Sequence, residues 1–195
     1  MPVLIVIAVA VLLVILYIWS LYNQFVTTKT RIRASIQEIG NQLKRQADLI
    51  PNLIASVKGY MKHEKDIFKD LTEARKAVMK VSGATNPQKL LDVSGQMQSA
   101  LAPIRVVLES TPQLQAVGSA SKLMDELRDT ADKVMYSRRT LIDLTADYNI
   151  KVVTFPSKLV ASIFRFKQEP GLAVSEDGDH VKVQDFETKT PKVEL

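Results

Sequence analysis

The chain has 195 residues, no cysteine, few aromatic residues and a net charge of +5, which excludes a disulfide framework and leaves room for one ordinary domain. The charge is uneven: from Glu169 onward three Lys stand against seven acids, a net of −4, so the residues before it carry +9. A basic body can address nucleic acid or anionic lipid, but no basic stripe interleaved with stacking aromatics occurs here, so lipid is the expected partner and nucleic acid is not.

The first charged side chain is Lys29. Before it, Val3 to Trp19 are almost wholly Val, Ile, Leu and Ala, and about 20 such residues at 1.5 Å of helical rise cross a hydrocarbon layer about 30 Å thick. No Lys or Arg precedes the run and no small-residue cleavage pattern follows it, so residues 1–24 are expected to be a retained transmembrane anchor rather than a removed signal. Tyr17, Trp19 and Tyr22 gather at its C-terminal end, where amphipathic rings settle among headgroups. Lys29, Arg31 and Arg33 follow before the first acid, Glu38, which predicts the N-terminus outside and the remainder in the cytoplasm.

A heptad stripe then runs through Ile32, Ile36, Ile39, Leu43, Ile50, Leu53, Val57, Tyr60, Ile67, Leu71, Ala74 and Val78, with two polar members, Gln46 and Glu64. The stripe stays in phase across Pro51. Either one long helix is kinked there, or a hairpin places Pro51 in the first turn of a second helix with Asp48 as its cap. The residue pattern leaves both open. Residues 81–87 (VSGATNP) read as a loop, with Gly83 ending one helix and Asn86-Pro87 starting the next. That third helix carries Leu90, Met97, Leu101, Ile104 and Leu108 on one face and is expected to kink at Pro103. After Ser110-Thr111-Pro112 a last helix shows Val117, Ala120, Met124, Leu127, Ala131, Val134, Leu141 and Tyr148 and runs to Ile150.

Helices of about 25, 30, 23 and 38 residues joined by short turns predict an all-α fold: a single N-terminal transmembrane helix followed by an antiparallel up-down four-helix bundle. Residues 25–168 form that bundle together with a C-terminal basic amphipathic segment, and residues 169–195 an acidic tail without folded structure.

Chemistry is sparse. His63 and His180 are the two histidines, the zinc and phosphate-loop signatures are missing, and no nucleophile elbow is recognisable, so no catalytic, metal or cofactor site is expected. Glu64 and Arg138, both assigned to apolar stripes, are candidates for a buried polar pair that fixes helix register. The segment from Lys151 to Lys167 mixes bulky apolar residues with cations and contains no acid. If four antiparallel helices return the chain to the membrane, Lys158, Phe164, Arg165, Phe166 and Lys167 join Trp19, Tyr22, Lys29, Arg31 and Arg33 at the membrane interface. The competing expectation is that Phe155 and Leu159 plug the end of the bundle.

Several of these residues carry a resemblance. Tyr22-Asn23, Gln42-Leu43-Lys44-Arg45, Asp48 to Leu53, Val57-Lys58-Gly59-Tyr60, His63-Glu64, Ala74-Arg75, Ser137-Arg138-Arg139, Tyr148-Asn149 and Thr154-Phe155-Pro156-Ser157 stand in an order and spacing similar to the bacterial LemA family. The resemblance implies an anchored antiparallel four-helix bundle and favours the hairpin at Pro51. It also implies a membrane-associated accessory protein without catalytic residues, in a family with a relative at magnetosome membranes. The sequence departs from the family pattern at Gln46, Ala131, Thr140-Leu141 and Pro103. The expectation that follows is a non-enzymatic scaffold or adaptor whose partners are the bilayer, an unidentified protein and further copies of itself. An accessory regulator of a membrane enzyme or sensor is the alternative.

Overall fold

The computed structural model of the chain describes residues 2–61, 65–111 and 118–172, and no strand occurs among them. Five helices follow in order: α1 (Pro2–Val57), α2 (Lys65–Val81), α3 (Pro87–Ser110), α4 (Gly118–Val153) and the short α5 (Ser157–Ile163). α1 is 56 residues long and has two characters. Its first third presents apolar side chains all round, exposed except for the partly buried Ile18, and it is the one helix among the described residues long and apolar enough to cross a membrane. From Phe25 on it becomes one-sided, burying Phe25, Ile32, Ile39, Leu43, Ile50, Leu53 and Val57. The span and the first bundle helix are therefore one unbroken element.

The hairpin between the first two bundle helices exists, but not at Pro51. α1 continues through Pro51 to Val57, and the turn begins at residues 58–60. A proline inside a helix leaves the carbonyl four residues back without its N–H donor. That carbonyl belongs to Ala47, and the Arg75 guanidinium of α2 donates to it at 3.0 Å. The proline is tolerated because its orphaned acceptor is used to fasten α2. Turn formation also displaces Tyr60 from the core stripe: it is exposed, and Met61 is buried in its place.

Two points fix α2 antiparallel to α1: the Arg75–Ala47 bond, and Gly40, where a Cβ would stand 2.7 Å from the Ser82 carbonyl oxygen. Asn86 caps α3 by accepting from the Gln88 N–H at 2.9 Å, with Pro87 in the first turn as expected. α3 packs on α2 and runs through Pro103. α4 lies antiparallel to α1, as the Arg45–Glu126 ion pair at 3.0 Å and the Phe25–Tyr148 ring contact require. α1 is the shared element, with α2, α3, α4 and α5 all packed on it. The result is an antiparallel four-helix bundle built on the extension of an N-terminal apolar helix.

The buried face of α4 alternates Leu127, Val134, Leu141 and Tyr148 with the small polar Thr130, Ser137 and Thr145. Arg138 is not part of it. It stands exposed, while Ser137 occupies the stripe. Both positions satisfy a spacing of three and four between Val134 and Leu141, and burying a hydroxyl costs far less than burying a guanidinium. The expected buried pair with Glu64 therefore lacks a buried Arg138, and Glu64 and His63 lie outside the described residues.

Candidate membrane-proximal site

Tyr22, Phe25 and Lys29 fall three and four residues apart and so share one face of α1, just beyond the apolar run. The end of α4 brings Tyr148 and Asn149 to the same level. Past α4 the chain turns back: the Ser157 hydroxyl donates to the Lys151 carbonyl at 2.7 Å, serving an acceptor at the helix end, and the Thr154 hydroxyl joins its own N–H on the Ile150 carbonyl, at 2.8 and 2.9 Å. α5 follows, burying Ser157, Val160 and Ala161 on its inner side. It closes with the Phe166 N–H donating to the Ala161 carbonyl at 2.9 Å and the Arg165 N–H to the Ser162 carbonyl at 3.3 Å. Arg165 sits between them at φ 57°, the left-handed conformation that such a helix ending needs.

This reversal sends the chain back along α1 as a strap. Phe166 stacks on Phe25 with centroids 4.9 Å apart, Phe25 meets Tyr148 edge-on at 5.8 Å, and Tyr22 lies 4.8 Å from Phe164. Each such pair adds about 0.5–1.5 kcal/mol beyond the area it buries. Three residues beyond Phe166, Asn149 grips the backbone of Glu169 from both sides, its amide donating to the carbonyl at 2.9 Å and its oxygen accepting from the N–H at 2.9 Å. The Glu169 carboxylate in turn pairs with Lys29 at 2.6 Å. Glu169 therefore belongs to the folded body, as does Leu172, which packs against the core; the expected tail beyond Leu172 lies outside the described residues.

Among the interface candidates, Trp19, Arg31, Arg33, Lys158, Phe164, Arg165 and Lys167 are exposed, and Tyr22 is at the edge of exposure. Lys29 and Phe166 are half-buried and structural. The plug expected of Phe155 and Leu159 is not formed: they are 80% and 57% exposed. Phe25, Asn149 and Glu169 are members that pattern reading did not assign to the site, and Tyr148 it marked only as an apolar position of the last helix. Phe25 directly follows the apolar run, and Asn149 shows its role only once Glu169 is beside it. Tyr148 is fully buried and its hydroxyl finds no hydrogen-bond partner among the described residues. Burial raises its pKa above 10.0; nearby Lys29 opposes the shift and Glu169 adds to it.

A groove of about 850 Å³ opens above the strap, lined by Lys29, Arg33, Asn41, Gly83, Thr85 and Glu169. Its polar groups are spread along α1 and the α2–α3 loop, and of its three charged side chains Lys29 and Glu169 pair with one another. No group of three or more metal-ligating side chains occurs among the described residues.

A family model matches residues 35–186, most of the bundle and the strap. The chain belongs to the LemA family. Similar LemA-family relatives carry the name magnetosome protein MamQ. That of Magnetospirillum gryphiswaldense is 24% identical over 193 residues, covering 86% of this chain and 71% of the relative. MamQ 2 of Paramagnetospirillum magneticum is 24% identical over 186 residues, covering 82% and 68%. With its apolar first helix and these relatives, this LemA-family chain is a membrane-associated helical protein.

Proposed function

We propose that this LemA-family chain is a non-enzymatic scaffold or adaptor, held on the cytoplasmic face of a bacterial membrane, that presents its bundle surfaces to a protein partner. The observation that carries this reading is the unbroken α1, which passes from the apolar run into the bundle core. An anchor joined by a linker leaves a domain free to tumble, whereas a continuous helix holds it at a set height and angle. Lys29, Arg31 and Arg33 at the exit of the apolar run support the cytoplasmic orientation. The relatives' magnetosome name agrees with a place at a bacterial membrane.

The test is photocrosslinking in native membranes from a photoreactive residue at Met79, an exposed position on α2. A single saturable protein adduct is the expected result. Adducts with lipid and with other copies of the chain alone would overturn the adaptor reading and leave a membrane-organising oligomer. The same helix continuity favours one alternative, an accessory regulator that passes movement of the span to the bundle. Exchange of residues 1–24 for an unrelated span of equal length separates the two, because an adaptor keeps its partner and a regulator loses its effect.

A further inference from the structure

α5 has two unlike sides. Val160 and Ala161 are buried against the bundle, while Leu159 and Ile163, one turn apart, point away from it at 57% and 69% exposure. Phe155, a further four residues back, is more exposed still. Large apolar side chains left together on a surface mark something that covers them. Their position identifies what does. Phe25 of α1 abuts Tyr148 of α4, and α4 continues from there to Val153. Those five residues advance about 8 Å along the antiparallel α1 and bring the reversal level with Ser20, beside exposed Trp19. The apolar side of α5 thus lies where α1 enters the bilayer. Around it Lys158, Arg165 and Lys167 are exposed, and none of them takes part in the ion pairs found among the described residues.

We propose that α5 is an amphipathic foot of the bundle: Phe155, Leu159 and Ile163 enter the headgroup–acyl boundary of the membrane that α1 crosses, and Lys158, Arg165 and Lys167 rest on anionic headgroups. The combination of apolar side chains flanked by cations is what interfacial binding requires. The foot is fastened to α1 through Phe166 on Phe25 and Glu169 on Lys29, and to α4 through Glu169 on Asn149, so the protein meets the membrane at two rigidly joined points. The proposal rests on the reading of α1 as a membrane span and deepens it.

The chain has no cysteine, so single nitroxide labels can be placed without background. Full-length protein carrying Leu159→Cys or Ile163→Cys is reconstituted in vesicles of phosphatidylcholine and phosphatidylglycerol, with Val106→Cys on α3 as the aqueous reference and Val14→Cys as the membrane reference. All four positions are exposed, so labelling leaves the fold intact. The foot predicts several-fold fewer collisions with a water-soluble nickel reagent at residues 159 and 163 than at 106, with higher oxygen accessibility. It also predicts shallower immersion in vesicles of phosphatidylcholine alone; unchanged depth there would overturn the role given to the cations. Aqueous accessibility equal to that at Val106 would overturn the foot while a lipid-exposed Val14 kept the span. An aqueous Val14 would overturn both. Exclusion of both reagents at 159 and 163 would mean that protein, not lipid, covers α5, and would also overturn it.

Discussion

Tyr148 shows how a single side chain sets local energetics. Its ring is needed against Phe25, but its hydroxyl is buried without a partner among the described residues. Leaving such a group unsatisfied costs about 1–3 kcal/mol. Tyr148→Phe keeps the ring contact and removes the cost, so urea unfolding of the solubilised protein is expected to show about 1 kcal/mol of added stability. A loss of similar size would mean that the hydroxyl has found an acceptor. The pH dependence follows with a definite sign. Burial holds the phenol protonated in the folded state above 10.0, its ordinary value. The unfolded chain ionises first, so this contribution is fully present below pH 10.0 and is lost as pH rises through the raised folded value. Tyr148→Phe should flatten that part of the alkaline loss of stability, and an unchanged alkaline slope would contradict the assignment. None of this could be read from the heptad pattern, which marks Tyr148 as one more apolar position and is silent on where its oxygen points.

At the scale of elements, the pairing of α1 with α2 depends on two backbone carbonyls. Arg75 serves the acceptor that Pro51 leaves open, which makes a specific prediction of non-additivity. Arg75→Met is expected to cost about 1.5–3 kcal/mol, the value of a charged hydrogen bond to a buried group. In a Pro51→Ala background the helix supplies its own N–H to Ala47, and the same Arg75 change should cost distinctly less. Equal costs in the two backgrounds, read from thermal or urea unfolding, would show that the proline and the arginine are independent. Gly40 is the second fastening. Alanine there improves helix propensity by about 1 kcal/mol, yet its Cβ would meet the Ser82 carbonyl at 2.7 Å. Backbone has to move, and a net destabilisation of about 1–3 kcal/mol is expected in a melting comparison; a gain in stability would mean the α2–α3 loop yields freely.

The legibility of these elements was uneven for physical reasons. Asn86-Pro87 announced the start of α3, and the apolar series of α1 and α4 announced their buried faces, because caps and periodicity are local properties. The turn after Val57 was hidden because the stripe keeps its phase across it and Pro51 offers a stronger false signal nearby. The interleaved Thr130, Ser137 and Thr145 were missed because small hydroxyl residues score as polar, although a hydroxyl can bond within its own helix, as Thr130 does to the Leu127 carbonyl at 2.9 Å. The strap was illegible for a different reason: Asn149 and Glu169 are twenty residues apart, and only the reversal through α5 makes them neighbours.

For the whole molecule the decisive property is that membrane entry and bundle core share one helix. The aromatic cluster and the Asn149–Glu169 grip close the bundle at its membrane end, adding the strap to the packing of α4 on α1. A domain carried this way faces its surroundings at a set posture, as the scaffold proposed above requires. The most direct test is the distance between nitroxides at Leu16→Cys and Lys44→Cys, measured by pulsed dipolar spectroscopy on the full chain in lipid nanodiscs. Both positions are exposed on α1, and an unbroken helix places their backbones about 42 Å apart. A single narrow distribution at that distance is the predicted result. A broad or markedly shorter one would place a hinge between membrane and bundle and would contradict the account.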